Sequence, residues 1–126
     1  MKKAINTPDA PKPIGAYSQA IMAGNTLYVS GQIPINLQSG TVVEGGAGEQ
    51  AKQVMENISA ILKEAGMGLD KVAKCSIFLS DMTLFKEVNE VYGTYFTTMP
   101  PAREAIAVKG LPMGVDVEIS CIAVQE

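Results

Sequence analysis

The segment "VDVEISCIAV", Val115 to Val124, is apolar on both sides of a strand. Successive strand residues point to opposite sides, so Val115, Val117, Ile119, Cys121 and Ala123 share one face. Ile122 and Val124 join Asp116, Glu118 and Ser120 on the other. Such a strand needs cover on both faces, which calls for a layered sheet. The chain holds only two stretches with helix period. In the first, Ala51, Val54, Met55, Ile58, Ile61, Leu62 and Ala65 recur at spacings of three and four. It begins near Glu49 and ends at Gly66, a suitable C′ glycine. The second follows Thr83 as expected N-cap and carries Phe85, Val88, Tyr92, Tyr95 and Phe96, until Met99, Pro100 and Pro101 stop it. Two helices can cover one sheet face. The other is left for a second copy of the chain, so an oligomer is expected.

The remaining elements are strands. "AYSQAIMAGNTLYVSGQIPI" reads as two strands around a Gly24-Asn25 hairpin turn. Ser39-Gly40 is a second turn, followed by a short strand "TVV". "VAKCSIFL" alternates Ala73, Cys75, Ile77 and Leu79 with Val72, Lys74, Ser76 and Phe78. Strands near 102–109 and 115–124 flank the loop "KGLPMG". The expected order is β-β-β-α-β-α-β-β in one domain, 1–126: an α+β fold with a mixed six-stranded sheet and two helices on one face. Residues 1–14 are expected to be extended and poorly packed, anchored by Ile5 and Ile14, and Gly45, Gly46 and Gly48 to form a loose joint.

Composition narrows the chemistry. The chain is 47% apolar with net charge −3 and no basic run, so the electrostatic footprint of a nucleic-acid binder is missing. No apolar stretch is long enough for a membrane span, and prolines at 8, 11 and 13 interrupt an N-terminus that lacks a signal-peptide core. The expected compartment is the cytoplasm. The absence of histidine removes Ser-His-Asp and Cys-His catalysis and His-based zinc sites. Cys75 and Cys121 sit in strand-like apolar runs, read as small buried hydrophobes, and their spacing fits no metal motif. No metal or cofactor is expected.

Two charged residues stand out. Arg103 precedes small residues, with Ala105 and Ala107 on its side of the strand, and the space beside it suits bidentate binding of a carboxylate. Glu118 lies inside an apolar strand. The two are either a structural ion pair or parts of a site. In "VSGQIP", Ser30 and Gly31 are an ordinary strand end, or a place where a ligand approaches the backbone closely; Tyr17 is a similar case. Asn89 is expected to face solvent.

The pieces "PIGAYSQAI", "LYVSGQIP", "NISAILKEAG", "VAKCSIFLSDM", "VNEVYGTYF", "PPAREAIAV" and "LPMGVDVEISCIA" occur together and in order. Over nearly the whole chain this resembles the RidA/YjgF family of reactive-intermediate (enamine/imine) deaminases. The C-terminal pattern, with Arg103 and Leu111 separated by "EAIAVKG", is its most specific part. The resemblance implies a chorismate-mutase-like fold and a homotrimer whose sheets form a central barrel, with clefts at subunit interfaces. It also implies hydrolysis of 2-imino acids to 2-keto acids and ammonia, the imines arising from enamines released by pyridoxal-phosphate enzymes. Arg103 matches the arginine that holds the substrate carboxylate, and Glu118 the glutamate that handles the attacking water. Tyr17, Ser30 and Gly31 match cleft-lining positions, and the resemblance implies that the backbone N–H and C=O at Ala105 can contact the substrate. Many bacterial members have cysteine where this chain has Ala105. A non-catalytic trimer that binds metabolite carboxylates is an alternative. RNA cleavage, an older label for the family, is disfavoured by the acidic balance and the missing histidine.

Overall fold

The computed structural model describes residues 1–126. Its strands are β1 (Lys2–Ile5), β2 (Ala20–Ala23), β3 (Thr26–Gln32), β4 (Val72–Leu79), β5 (Ala102–Ala107) and β6 (Val117–Val124). Its helices are α1 (Ala47–Glu64) and α2 (Phe85–Tyr95). The strands form one mixed sheet in the order β1-β2-β3-β6-β4-β5, parallel only between β4 and β5. Parallel neighbours need a crossover, which α2 supplies. The architecture is the expected α+β sheet with two helices on one face.

The hairpin at Gly24-Asn25 joins β2 to β3, with Ala23 paired to Thr26. Gly24 has φ +61, and Asn25 is not among the positive-φ residues, the pattern of a type II′ turn that suits the twist of the strands. Gly66, at φ +75, ends α1: its N–H donates to the Lys63 carbonyl, and the Met67 N–H donates to that of Leu62. These are the two bonds of a Schellman motif.

The helix-facing side of the sheet carries Leu27, Val29, Cys75, Ile77, Leu79, Val117, Ile119, Cys121 and Ala123, all buried against Val54, Met55, Ile58, Ile61, Leu62 and Val88. A register shift between Val72 and Lys74 lets Val72 join this core although it shares the sequence phase of Lys74. Both cysteines are buried and free, and face each other across β4 and β6.

Four expectations change. The sixth strand is Lys2–Ile5, while "TVV" contributes only an isolated bridge between Ile35 and Val42. Ile5 is buried as an anchor, but Ile14 is 69% exposed. Asp81, not Thr83, caps the turn leading into α2, its carboxylate accepting from the Thr83 N–H at 2.8 Å. The glycines before α1 are no loose joint: the Gly48 N–H donates to Glu87 Oε2 of α2 at 2.8 Å. A Cβ at Gly48 would come within 3.0 Å of that oxygen. Glu87 thus places negative charge on the orphan amides at the start of α1. Glu87→Ala is expected to cost about 1 kcal/mol, read as a lower urea midpoint at unchanged slope.

The opposite side of the sheet has no cover from this chain. Tyr28 and Ile106 on it are 50% and 47% exposed, beside Ile21, Phe78 and Ile122. No helix is long and apolar enough to cross a membrane.

Candidate active site

The register decides where each candidate residue points. Arg103 pairs with Cys75, which pairs with Cys121 on the helix-facing side. Glu118 pairs with Phe78 and lies on the uncovered side. Two strand spacings and three residues separate them, on the order of 14 Å along the sheet, in addition to its thickness. The ion pair considered from sequence is therefore absent within one chain, and Glu118 forms no salt bridge.

Glu118 lies in a cleft of about 340 Å³ with Ile14, Tyr17, Ser30, Gly31, Ile33 and Pro112. Four sequence-selected residues, Tyr17, Ser30, Gly31 and Glu118, thus come together. Ile14, Ile33 and Pro112, which sequence reasoning missed, supply apolar walls. Ser30 is already engaged: its hydroxyl donates to the Ser18 carbonyl at 2.6 Å, and its N–H donates to that of Gln19 at 2.9 Å. It ties the Tyr17 loop to β3. Gln19 pins the segment further upstream by accepting from the Thr7 N–H and donating to the carbonyls of Thr7, Ala10 and Pro11. Gly31 carries Glu118 against its open Cα, in the space a ligand was expected to use. Burial holds the Glu118 carboxyl above the usual carboxylate range. A carboxylate so placed holds a proton more readily than an exposed one, and can take one up and return it. The cleft holds one acid and, from its own chain, no cation.

Arg103 lies where α2 covers the sheet edge. Its Nη1 donates to Asn89 Oδ1 at 2.6 Å. Its guanidinium carbon lies 5.3 Å from the Phe85 ring centre and 5.2 Å from that of Tyr92. The two rings and the amide fix the plane of the guanidinium without an anion. Asn89 was expected to face solvent; instead it orients Arg103. The available signal was its place on one helical face with Phe85 and Tyr92, at intervals of four and three. Ala105 follows on the same side of β5, half-buried against the core. Tyr92 is buried, its ring 4.9 Å from that of Phe96, and its hydroxyl has no partner.

One chain therefore carries a half-buried carboxyl group, Glu118, on one sheet face and an oriented guanidinium, Arg103, on the other. A family model described as endoribonuclease L-PSP matches residues 7–125. A RutC family protein of Pyrococcus horikoshii is 51% identical over 126 residues, covering all of both chains. The rat 2-iminobutanoate/2-iminopropanoate deaminase is 48% identical over 125 residues, covering 99% of this chain and 91% of its own. A crystal structure of a Thermotoga maritima protein, described as a putative endoribonuclease, superimposes with a TM-score of 0.97 at 47% identity, covering 100% of this chain and 99% of that one. Both residues thus sit on a sheet and helix pair shared with these proteins over almost their full length, and the chain belongs to the endoribonuclease L-PSP family, the RidA/YjgF family.

Proposed function

We propose that the protein hydrolyses 2-imino acids to 2-keto acids and ammonia, in clefts between subunits of a homotrimer. The observation that carries this reading is the division of Arg103 and Glu118 between opposite sheet faces. A second copy laid on the uncovered face can bring its Arg103 to the Glu118 cleft. The apolar patch around Tyr28, Phe78, Ile106 and Ile122 supports such a contact. Light scattering should give three times the chain mass. The deaminase activity borne by the name of the rat relative supports the choice of reaction.

Arg103 of one subunit holds the substrate carboxylate through two parallel hydrogen bonds, fixing C2 of the imine relative to water at Glu118 of the next. The backbone at Ala105 lies along the substrate, and Tyr17, Ser30 and Gly31 shape the cleft around it. Glu118 takes a proton from water as the water oxygen bonds to C2, and gives it to the imine nitrogen, forming a carbinolamine. It then takes the hydroxyl proton as the C2=O bond forms and delivers it to the nitrogen. The C–N bond breaks and ammonia leaves. Glu118 ends as it began, and the sum is imine plus water to ketone plus ammonia. Ile14, Ile33 and Pro112 accommodate the aliphatic side chain. The setting is the cytoplasm, beside enzymes that release such imines from serine or threonine.

RNA cleavage draws less support from this chain. Its net charge is −3 with no histidine, and the cleft is lined by a carboxyl group and by no lysine or arginine that could meet a phosphodiester. The test is a coupled assay in which a threonine or serine dehydratase generates the imine and keto-acid release is followed with and without this protein. Faster release supports hydrolysis. An unchanged rate, with 2-ketobutyrate still bound, would leave a carboxylate-binding protein.

A further inference from the structure

We infer that Gly31 is a positioning residue for Glu118: the missing side chain at 31 is what lets the Glu118 carboxylate lie against β3 inside the cleft. This rests on the reading of Glu118 as proton carrier. A Cβ built at Gly31 would stand 3.2 Å from Glu118 Cγ, 2.8 Å from Cδ and closer still to Oε2, and these are its three nearest atoms. Backbone conformation does not explain the glycine, since Gly31 is not among the positive-φ glycines. The reason for it is therefore contact with Glu118.

The strand is shaped for the same purpose. Val29 pairs with Cys121 and Gln32 with Ile119, so Ser30 and Gly31 together oppose Ser120 alone. This is a bulge, a device that re-aims side chains beside active sites. It is pinned: Ser30 donates to the Ser18 carbonyl, and Gln32 Nε2 donates to the Ser30 carbonyl at 3.1 Å. A methyl group at 31 therefore moves the flexible Glu118 side chain rather than the strand, and drives the carboxylate into solvent. Few charges compete there. The Tyr17 loop contributes Tyr17, with Lys12 in the adjoining crevice; β3 contributes Ser30, β4 contributes Phe78, and the loop before β6 contributes Pro112.

The test is Gly31→Ala, followed by carbon-13 NMR titration of the Glu118 carboxyl, a pH–rate profile and urea unfolding. The expected result is a near wild-type urea midpoint. The Glu118 pKa should fall toward the ordinary carboxylate range, because loss of burial removes what raises it. The acid limb of the rate profile should move to lower pH in step. kcat should drop about tenfold or more with little change in KM, since the Arg103 clamp is untouched. Adding Glu118→Asp shortens the acid by one methylene and should restore part of the rate in the Gly31→Ala background, while the same change lowers it in wild type. Unaltered Glu118 titration and kcat in Gly31→Ala would overturn the inference. So would misfolding of both Gly31→Ala and the double variant; misfolding relieved by Glu118→Asp would uphold it. Were wild type inactive on imines, the NMR titration would still show whether Gly31 seats the carboxylate.

Discussion

Arg103→Lys is expected to fold normally and lose imine hydrolysis by about 30- to 150-fold, equivalent to about 2–3 kcal/mol. The guanidinium is held flat by Asn89 and by the rings of Phe85 and Tyr92. That arrangement leaves further N–H groups for a carboxylate in fixed orientation. An ammonium offers a point charge with no plane, so it cannot reproduce the flat stacking on the rings or the paired bonds. Arg103→Ala should lose at least as much. The coupled dehydratase assay reads both variants, and urea unfolding should show that both remain folded, because Arg103 is exposed. Near-full activity of the lysine variant would contradict the bidentate clamp. An alanine variant that failed to fold would assign Arg103 a structural role instead.

Glu118→Gln should lose about 10²- to 10⁴-fold in rate while still binding 2-ketobutyrate by calorimetry. Glutamine keeps the shape and much of the hydrogen bonding but cannot take the water proton. In wild type, the rate should fall as pH drops through the Glu118 pKa, which burial places above the ordinary carboxylate range. The stability sign is opposite to that of a salt-bridged acid. A raised folded-state pKa means the native chain binds more protons than the unfolded chain between the two pKa values, so Glu118 lowers stability as pH rises through that window. Glu118→Gln should abolish this local slope and be slightly more stable at neutral pH. Retained turnover with retained binding would leave Arg103 and backbone polarisation to account for catalysis.

Local rules carried much of the fold. The apolar period of α1, Gly66 at its end and the turn at Gly24 are each decided within a few residues, and they formed as read. Lys2–Ile5 was not legible, because a short, mostly exposed edge strand owes its existence to pairing with β2, some twenty residues away. "TVV" had the composition of a strand but found only one bridging partner. The site divides in the same way. Tyr17, Ser30, Gly31 and Glu118 converge because β2, β3 and β6 are neighbours, whereas the face taken by Arg103 depends on the register of β5 on β4. A slip of one residue there would have reversed it. Asn89 escaped notice because a polar residue beside an apolar stripe resembles an ordinary solvated position until its partner on a distant strand is known. The close approach of Glu118 to Gly31 was not legible either, because it arises from a bulge of β3 on β6, a pairing between distant segments.

The central claim is that one active site draws Arg103 from one subunit and Glu118 from another. Mixing inactive Arg103→Ala and Glu118→Gln chains, with unfolding and refolding to exchange subunits, tests it most directly. Random assembly pairs an intact Arg103 with an intact Glu118 at one interface in four, so recovery to about a quarter of the wild-type rate is predicted. If both residues served the same site from the same chain, the mixture would show no activity beyond the sum of the two variants, and the account would be contradicted.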